Sequence, residues 1–236
     1  MIGGLPQEEQ LPPLAKVDIL TSLSLQETER LAMLSGSIYL GTGETFALDE
    51  NRRALLLLTS GRVRVHEPNG AGPGLTISMV EEPSVVTQTG FAARSSRAMV
   101  VEALEFSVLR VLEGEDFEDL VRRNPEVGVK TIRILNQRLT TCEERLSHLV
   151  HKGVPTRLAI LVRGLSEHQD AVTGEGYRII PTRYTHQQLA SMVGSNREAV
   201  TRAFRRLRDA GAVDIRGRRI YVTDTQALER LANAER

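Results

Sequence analysis

Apolar and polar residues follow three rhythms along the chain, and each predicts a different kind of structure. Over "SLQETERLAML" (24–34), Leu25, Leu31 and Leu34 fall on one side of a predicted helix. From about 38 to 111 the pattern shortens to alternating or wholly apolar runs separated by turn residues. In "LLLLTSGRVRVHE" (55–67), Val63 and Val65 alternate with Arg62 and Arg64, and His66 is expected to face out of the strand. Asn69-Gly70 between this run and "LTISMV" (75–80) signals a hairpin. Further strands are predicted at 98–103 and 106–111, and "GTGETF" (41–46) reads as a strand-to-strand turn, too short for a nucleotide loop. Many short strands at regular spacing imply an antiparallel roll.

Helical periodicity takes over near Phe117, with Pro125 separating "DFEDLVRRN" from a long helix. Along that helix Ile132, Leu135, Leu139, Cys142, Leu146 and Leu149 are spaced 3, 4, 3, 4, 3, which is a coiled-coil seam. Arg138, Glu143, Glu144 and Arg145 flank it. That charge favours a parallel pairing with a second copy through residues 129–150 over a helix packed on its own core. At "HKGVP" Gly153 suits a helix end and Pro155 a new first turn. The chain therefore divides into 1–116, a β-roll; 117–153, a dimerisation helix and hinge; and 154–236, a C-terminal domain.

Two helix starts follow Pro181. Thr185 with Gln188, and Ser195 with Glu198, both have capping-box spacing. Met192-Val193-Gly194 between them predicts two short helices meeting at an angle. In the second helix Val200, Phe204 and Leu207 form the buried stripe, while Arg197, Glu198, Thr201, Arg202 and Arg205 point elsewhere. "GAVDIRGRRIYVTD" (211–224) then reads as two strands turning at Arg216-Gly217, a wing.

Charge sharpens this division. The net charge is zero, yet residues 1–116 carry 16 acids and 9 bases while 181–236 carry 6 and 11. Within 183–219 nine arginines face three acids, so the C-terminal part is suited to a polyanion. Arginines near the start of a recognition helix can pair bidentately with guanine, and a glutamate can accept from cytosine N4. Ser195, Asn196, Thr185 and the helix N-termini suit phosphate oxygens, with His186 and Thr201 completing the set, and Arg205 and Arg206 acting mainly on phosphates. The expected partner is double-stranded DNA.

"THQQLASMVGSNREAVTRAFRRLRDAGAV" closely resembles the DNA-binding motif of the Crp-Fnr transcription regulators. The resemblance extends to "LTSLSLQETERLA", the "SGRVRV" strand of the effector roll and "NPEV" opening the dimer helix. It implies an α+β chain with an N-terminal antiparallel, cupin-like jelly roll, a long dimerisation helix and a C-terminal winged helix-turn-helix. It places Arg197, Glu198 and Arg202 on the base-reading positions. It also implies a homodimer on a two-fold symmetric operator with a GTGA-like half-site, and RNA polymerase as protein partner.

The effector region departs from the cyclic-AMP members. Their Gly-Glu pair corresponds to Thr87 and Gln88, and their Thr-Ser pair on the dimer helix to Cys142 and Glu143. A carboxylate for the ribose and a glycine turn at the phosphate are missing, which argues against cyclic AMP. Gln88, Arg94, Arg97, Arg138 and Cys142 are candidate contacts for another small effector; regulation without ligand is the alternative. The N-terminus lacks the cysteine cluster of the oxygen-sensing members, which excludes an iron-sulfur centre of that form. Haem is not expected, since His66 faces outward and His148 and His151 flank the hinge. Cys142, the single cysteine, is a small seam residue or, paired across a dimer axis, a redox switch.

Other classes find little footing. The sequence has no glycine-rich phosphate loop, metal-ligand spacing or nucleophile-base set, so it is not expected to be an enzyme. A protein-binding module using the basic helix is the remaining rival. "MIGGLPQEEQLPP" lacks signal-peptide order and the longest apolar run is "ALLLL" (54–58), so no membrane partner and a cytoplasmic location are expected.

Overall fold

The computed structural model describes residues 14–47, 52–69, 72–89, 99–167, 172–174, 176–217 and 219–234. They form two compact units, one within residues 1–68 and 77–137 and the other within 69–76 and 138–236.

The first unit begins with two 3-10 turns, Leu14–Lys16 and Asp18–Leu20, and helix α1, Leu25–Leu34. Ser24 caps α1 in a reciprocal capping box with Glu27. Hydrogen bonds from the Ser24 backbone and hydroxyl hold the Glu27 carboxyl below its usual range. Of the three leucines expected on one apolar side, only Leu31 is buried; Leu25 and Leu34 are exposed. A ten-residue helix lying over a sheet buries one narrow stripe, and these two leucines fall outside it.

Strands β1 (Gly36–Leu40), β2 (Thr45–Ala47), β3 (Ala54–Ser60), β4 (Arg62–Asn69), β5 (Gly72–Glu81), β6 (Ser84–Thr89), β7 (Val100–Ala103) and β8 (Ser107–Glu113) make two four-stranded sheets. Their orders are β1-β8-β3-β6 and β2-β7-β4-β5. This is an antiparallel jelly roll. The run "ALLLL" has no alternation because β3 is buried on both faces. Leu56 and Leu58 join Val63, Val65, Val80, Val101 and Leu109 in the core lined by both sheets. Leu55 and Leu57 meet the 3-10 turns, Leu31, Phe117 and Leu120 on the other side. Gly61, between β3 and β4, has φ +92°, and a Cβ there would run into the Phe106 carbonyl oxygen, so only glycine fits.

On β4 the alternation is real but its polar face is not solvated. Arg62, Arg64 and His66 are all buried. Arg62 pairs with Glu81 of β5 at 2.9 Å, and Arg64 with Glu102 of β7 at 2.5 Å. His66, expected to face out, lies 3.7 Å from the same Glu102, and burial, then the Arg64 charge, push its pKa down. Acids supplied by the two neighbouring strands make burial of this face tolerable.

Helix α2 (Gly114–Arg123) leads through Asn124 into α3, Pro125–His151. Val127 and Ile134 of α3 pack into the core beneath the roll, and Lys130 donates to Thr21 Oγ1 at 2.6 Å. The heptad residues Ile132, Leu135, Leu139, Cys142 and Leu146 stand exposed along this helix.

The second unit continues through α4 (Val154–Glu167), β9 (Val172–Gly174), β10 (Tyr177–Ile180), α5 (His186–Met192), α6 (Arg197–Asp209), β11 (Val213–Arg216), β12 (Arg219–Val222) and α7 (Thr225–Asn233). The sheet order is β11-β12-β10-β9, so the wing is extended by a second hairpin that the sequence pattern did not predict. Helix α4 packs against α6 and α7. No helix of the described residues is long and apolar enough to cross a membrane.

Candidate nucleic-acid interface

The site is built on α5 and α6. Thr185 caps α5: its hydroxyl accepts from the Gln188 N–H at 3.1 Å, and the Gln188 side chain accepts from the Thr185 N–H at 2.9 Å. The helix stops at Val193. Gly194 takes φ +60°, the left-handed region open to glycine, and the Ser195 N–H reaches the Ala190 carbonyl at 2.9 Å.

The second cap lies one residue beyond the expected one. Asn196, not Ser195, caps α6, its side-chain oxygen accepting from the Ala199 N–H at 2.8 Å. With the cap at Asn196, Glu198 is the second helical residue and Ala199 the third, so the Ser195–Glu198 box does not form. Asn is among the strongest N-caps, and it wins over the adjacent serine. Glu198 is exposed and has no capping duty.

Val200, Ala203, Phe204 and Leu207 form the buried stripe of α6. At roughly 100° per residue, Glu198, Arg202 and Arg205 point to the opposite side, with Arg197, Thr201 and Arg206 on its flanks. All except the half-buried Thr201 are exposed. The stripe thus presents these side chains outward as one polar face.

One pair joins the two helices. His186 stacks on Phe204 with ring centroids 5.3 Å apart and planes within 5°. Its Nδ1 lies 2.9 Å from Thr201 Oγ1, which donates to the Arg197 carbonyl at 2.9 Å. Burial, then the charge of Arg197, lowers the His186 pKa. Sequence reasoning placed His186 and Thr201 on the interface face but missed this link, since fifteen residues separate them.

In the wing, Gly217 turns the chain at φ 56°. Arg216 pairs with Asp214 at 2.7 Å and lies over the Tyr221 ring at 5.2 Å, and Tyr221 meets Tyr177 at 5.7 Å. The pairing raises the Arg216 pKa and lowers that of Asp214.

Of the five candidate effector residues, the structure describes the side chains of Arg138 and Cys142 alone. Gln88 lies on β6, its backbone paired with Leu55, and its side chain is outside the described residues, as are Arg94 and Arg97. Arg138 is half-buried and Cys142 exposed on α3.

Two short helices around a glycine turn, a basic second helix and a wing define a winged helix-turn-helix DNA-binding domain. Residues 156–231 match the Crp-like helix-turn-helix domain. The chain is 26% identical over 187 residues to the global nitrogen regulator of Nostoc sp., spanning 78% of this chain and 83% of that protein. To the cAMP-activated global transcriptional regulator CRP of Salmonella typhimurium it is 24% identical over 179 residues, 75% of this chain and 84% of the relative. Among solved structures, a CRP/FNR-family transcriptional regulator from Thermus thermophilus superposes with a TM-score of 0.69 at 25% identity, covering 85% of this chain and all of the other. CooA from Carboxydothermus hydrogenoformans shares the fold at a TM-score of 0.75, 17% identical, over 94% of this chain and 99% of its own. Residues 156–231 are a Crp-like helix-turn-helix DNA-binding domain, and the chain as a whole is similar to transcription regulators of the Crp/Fnr type.

Proposed function

We propose that the protein acts as a homodimer that reads a two-fold symmetric operator, one recognition helix per half-site. The observation that carries this reading is the polar face of α6, where Glu198, Arg202 and Arg205 stand opposite a fully buried stripe. Arg197, Glu198 and Arg202 read base edges of a GTGA-like half-site. Arg205, Arg206, Asn196, Ser195 and Thr185 hold phosphate oxygens. The exposed leucines of α3 supply the surface for a second copy, since an uncovered apolar stripe of this length is costly in water. The division of labour follows 1–116 as sensor, 117–153 as dimer helix and hinge, and 154–236 as DNA reader, with RNA polymerase as protein partner.

The CRP relative is named as cAMP-activated. For this chain we propose an effector other than cyclic AMP, because Thr87 and Gln88 stand where the ribose-binding carboxylate and its glycine are needed.

The test is selection of duplexes from a random pool with the full chain, followed by anisotropy titrations across salt. A palindromic consensus with a steep salt slope is the expected result. No binding to any duplex at low salt overturns the reading.

A further inference from the structure

Thr201 has one hydroxyl proton, and it goes to the Arg197 carbonyl, which can only accept. Toward His186 the Thr201 oxygen therefore accepts, and His186 Nδ1 carries the hydrogen of their 2.9 Å bond. That bond survives in both protonation states of the ring. Titration happens at Nε2 and changes charge without breaking the link between α5 and α6.

The ring is half-buried, and burial followed by the Arg197 charge disfavours the imidazolium. The first turn of α5 carries no acid to offset this. Among the described residues, Thr201 and Phe204 of α6 touch the ring, both uncharged, and the charge of Arg197 acts on it. The free protein at neutral pH thus holds a neutral histidine beside a cationic base reader.

We propose that His186 is a positioning residue that takes up a proton when α6 engages DNA, its ring pinning α5 to the recognition helix throughout. This rests on the DNA-reading assignment of α6. Phosphate charge arriving around Arg197 offsets the field that kept the ring neutral, so the bound state favours the imidazolium. The sign follows from linkage: a pKa raised by binding makes DNA bind more tightly as pH falls and more weakly as it rises through the bound-state pKa. Each ring can steepen affinity by at most about tenfold per pH unit. In the free protein the His186 pKa lies below the ordinary histidine value of ~6.5, so the window opens below that value and closes at the pKa of the bound state.

The experiment is calorimetric titration of the full chain with its selected duplex, at fixed ionic strength, in two buffers of different ionisation enthalpy. The parent is expected to take up a fraction of a proton per protomer near pH 7. His186→Asn keeps an amide N–H donor at the Nδ1 position and cannot titrate. It should lose that uptake, which is the quantity compared between the two proteins. Equal uptake in both proteins, or none in the parent, overturns the proposal. A second measurement on the parent alone, the NMR titration of the His186 Cε1–H with and without duplex, must show a pKa raised by DNA; an unchanged value also overturns it. Binding that is specific but independent of pH leaves the DNA reading intact and removes only this inference, whereas no binding at any pH removes both.

Discussion

Leu149, in the last turn of α3, lies directly over Gly194, the turn of the helix-turn-helix: a Cβ on Gly194 would stand 2.7 Å from Leu149 Cδ2. Arg157 of α4 ties the same two places together. Its Nη1 donates to the Leu149 carbonyl at 3.2 Å, and its Nη2 reaches the Gly194 carbonyl at a long 3.5 Å. The end of the proposed dimer helix and the bend that aims the recognition helix thus share one joint. Gly194→Ala meets two costs here, the left-handed φ and the Leu149 methyl. We expect a loss of about 1–2 kcal/mol, from roughly 1 kcal/mol for the backbone and the rest for displacing a flexible side chain. Urea denaturation of Gly194→Ala, Leu149→Ala and the double variant checks it. The alanine at 194 should cost less in the Leu149→Ala background, and strict additivity would mean that the two residues do not touch.

The sequence made much of this domain legible, and its misses share a physical origin. The Thr185–Gln188 box formed as its spacing suggested because no better cap adjoins it. The Ser195–Glu198 spacing misled because Asn196, one residue on, offers a competing cap, and spacing alone does not rank neighbours. On β4 the period-two pattern located the valines correctly, yet it could not foresee that Glu81 and Glu102 on adjoining strands would bury Arg62, Arg64 and His66. His186 with Thr201, and Arg157 with Leu149, are contacts set by how helices cross, and no local rhythm encodes a crossing. The exposed apolar stripe of α3, by contrast, is a purely local repeat that the heptad spacing makes legible.

Arg202 and Arg205 should separate on DNA. If Arg202 reads a base, Arg202→Ala costs about 1–3 kcal/mol on the selected operator and relaxes selectivity at one position. Arg205→Ala should weaken all duplexes alike and reduce the salt slope by about 0.9 for each phosphate that is no longer neutralised. Anisotropy titrations on operator and scrambled duplexes, from about 50 to about 200 mM salt, read both quantities. Equal loss on the two duplexes for Arg202→Ala would make it a phosphate-binding residue instead.

The α3 stripe should set the oligomeric state. Leu139 is 58% exposed and Leu146 63% exposed, values too high for residues meant to stay in water at consecutive heptad positions. Burying a leucine contributes about 1.5–3 kcal/mol, and a two-fold seam buries each position twice. Leu139→Glu also sets two carboxylates against each other across that seam. We expect the variant to run as a monomer in light scattering at micromolar concentration while keeping its helical circular dichroism. An unchanged dimer would place the interface elsewhere.

Acid should unfold the protein through its histidines before its carboxylates protonate. Burial is the leading cause of the lowered pKa at His66, His148 and His186 alike, reinforced by a neighbouring cation in each case: Arg64, Lys152 and Arg197. The folded state therefore binds these protons less readily than the unfolded chain, whose histidines titrate near ~6.5. Stability is complete above that value and falls as the pH drops toward the folded pKa values, the slope carrying the sign of protons taken up on unfolding. Midpoints of urea denaturation should be flat from about pH 7 to 8 and begin to decline as the pH falls below about 6.5, above the range of ordinary carboxylates. His66→Gln should make the decline shallower, because one of the three protons no longer contributes. An identical slope would show that the imidazole of His66 is solvated, and with it the polar face of β4. This pH dependence opposes the one proposed for DNA: falling pH tightens the bound state while loosening the fold, so affinity must be measured above the onset of acid unfolding.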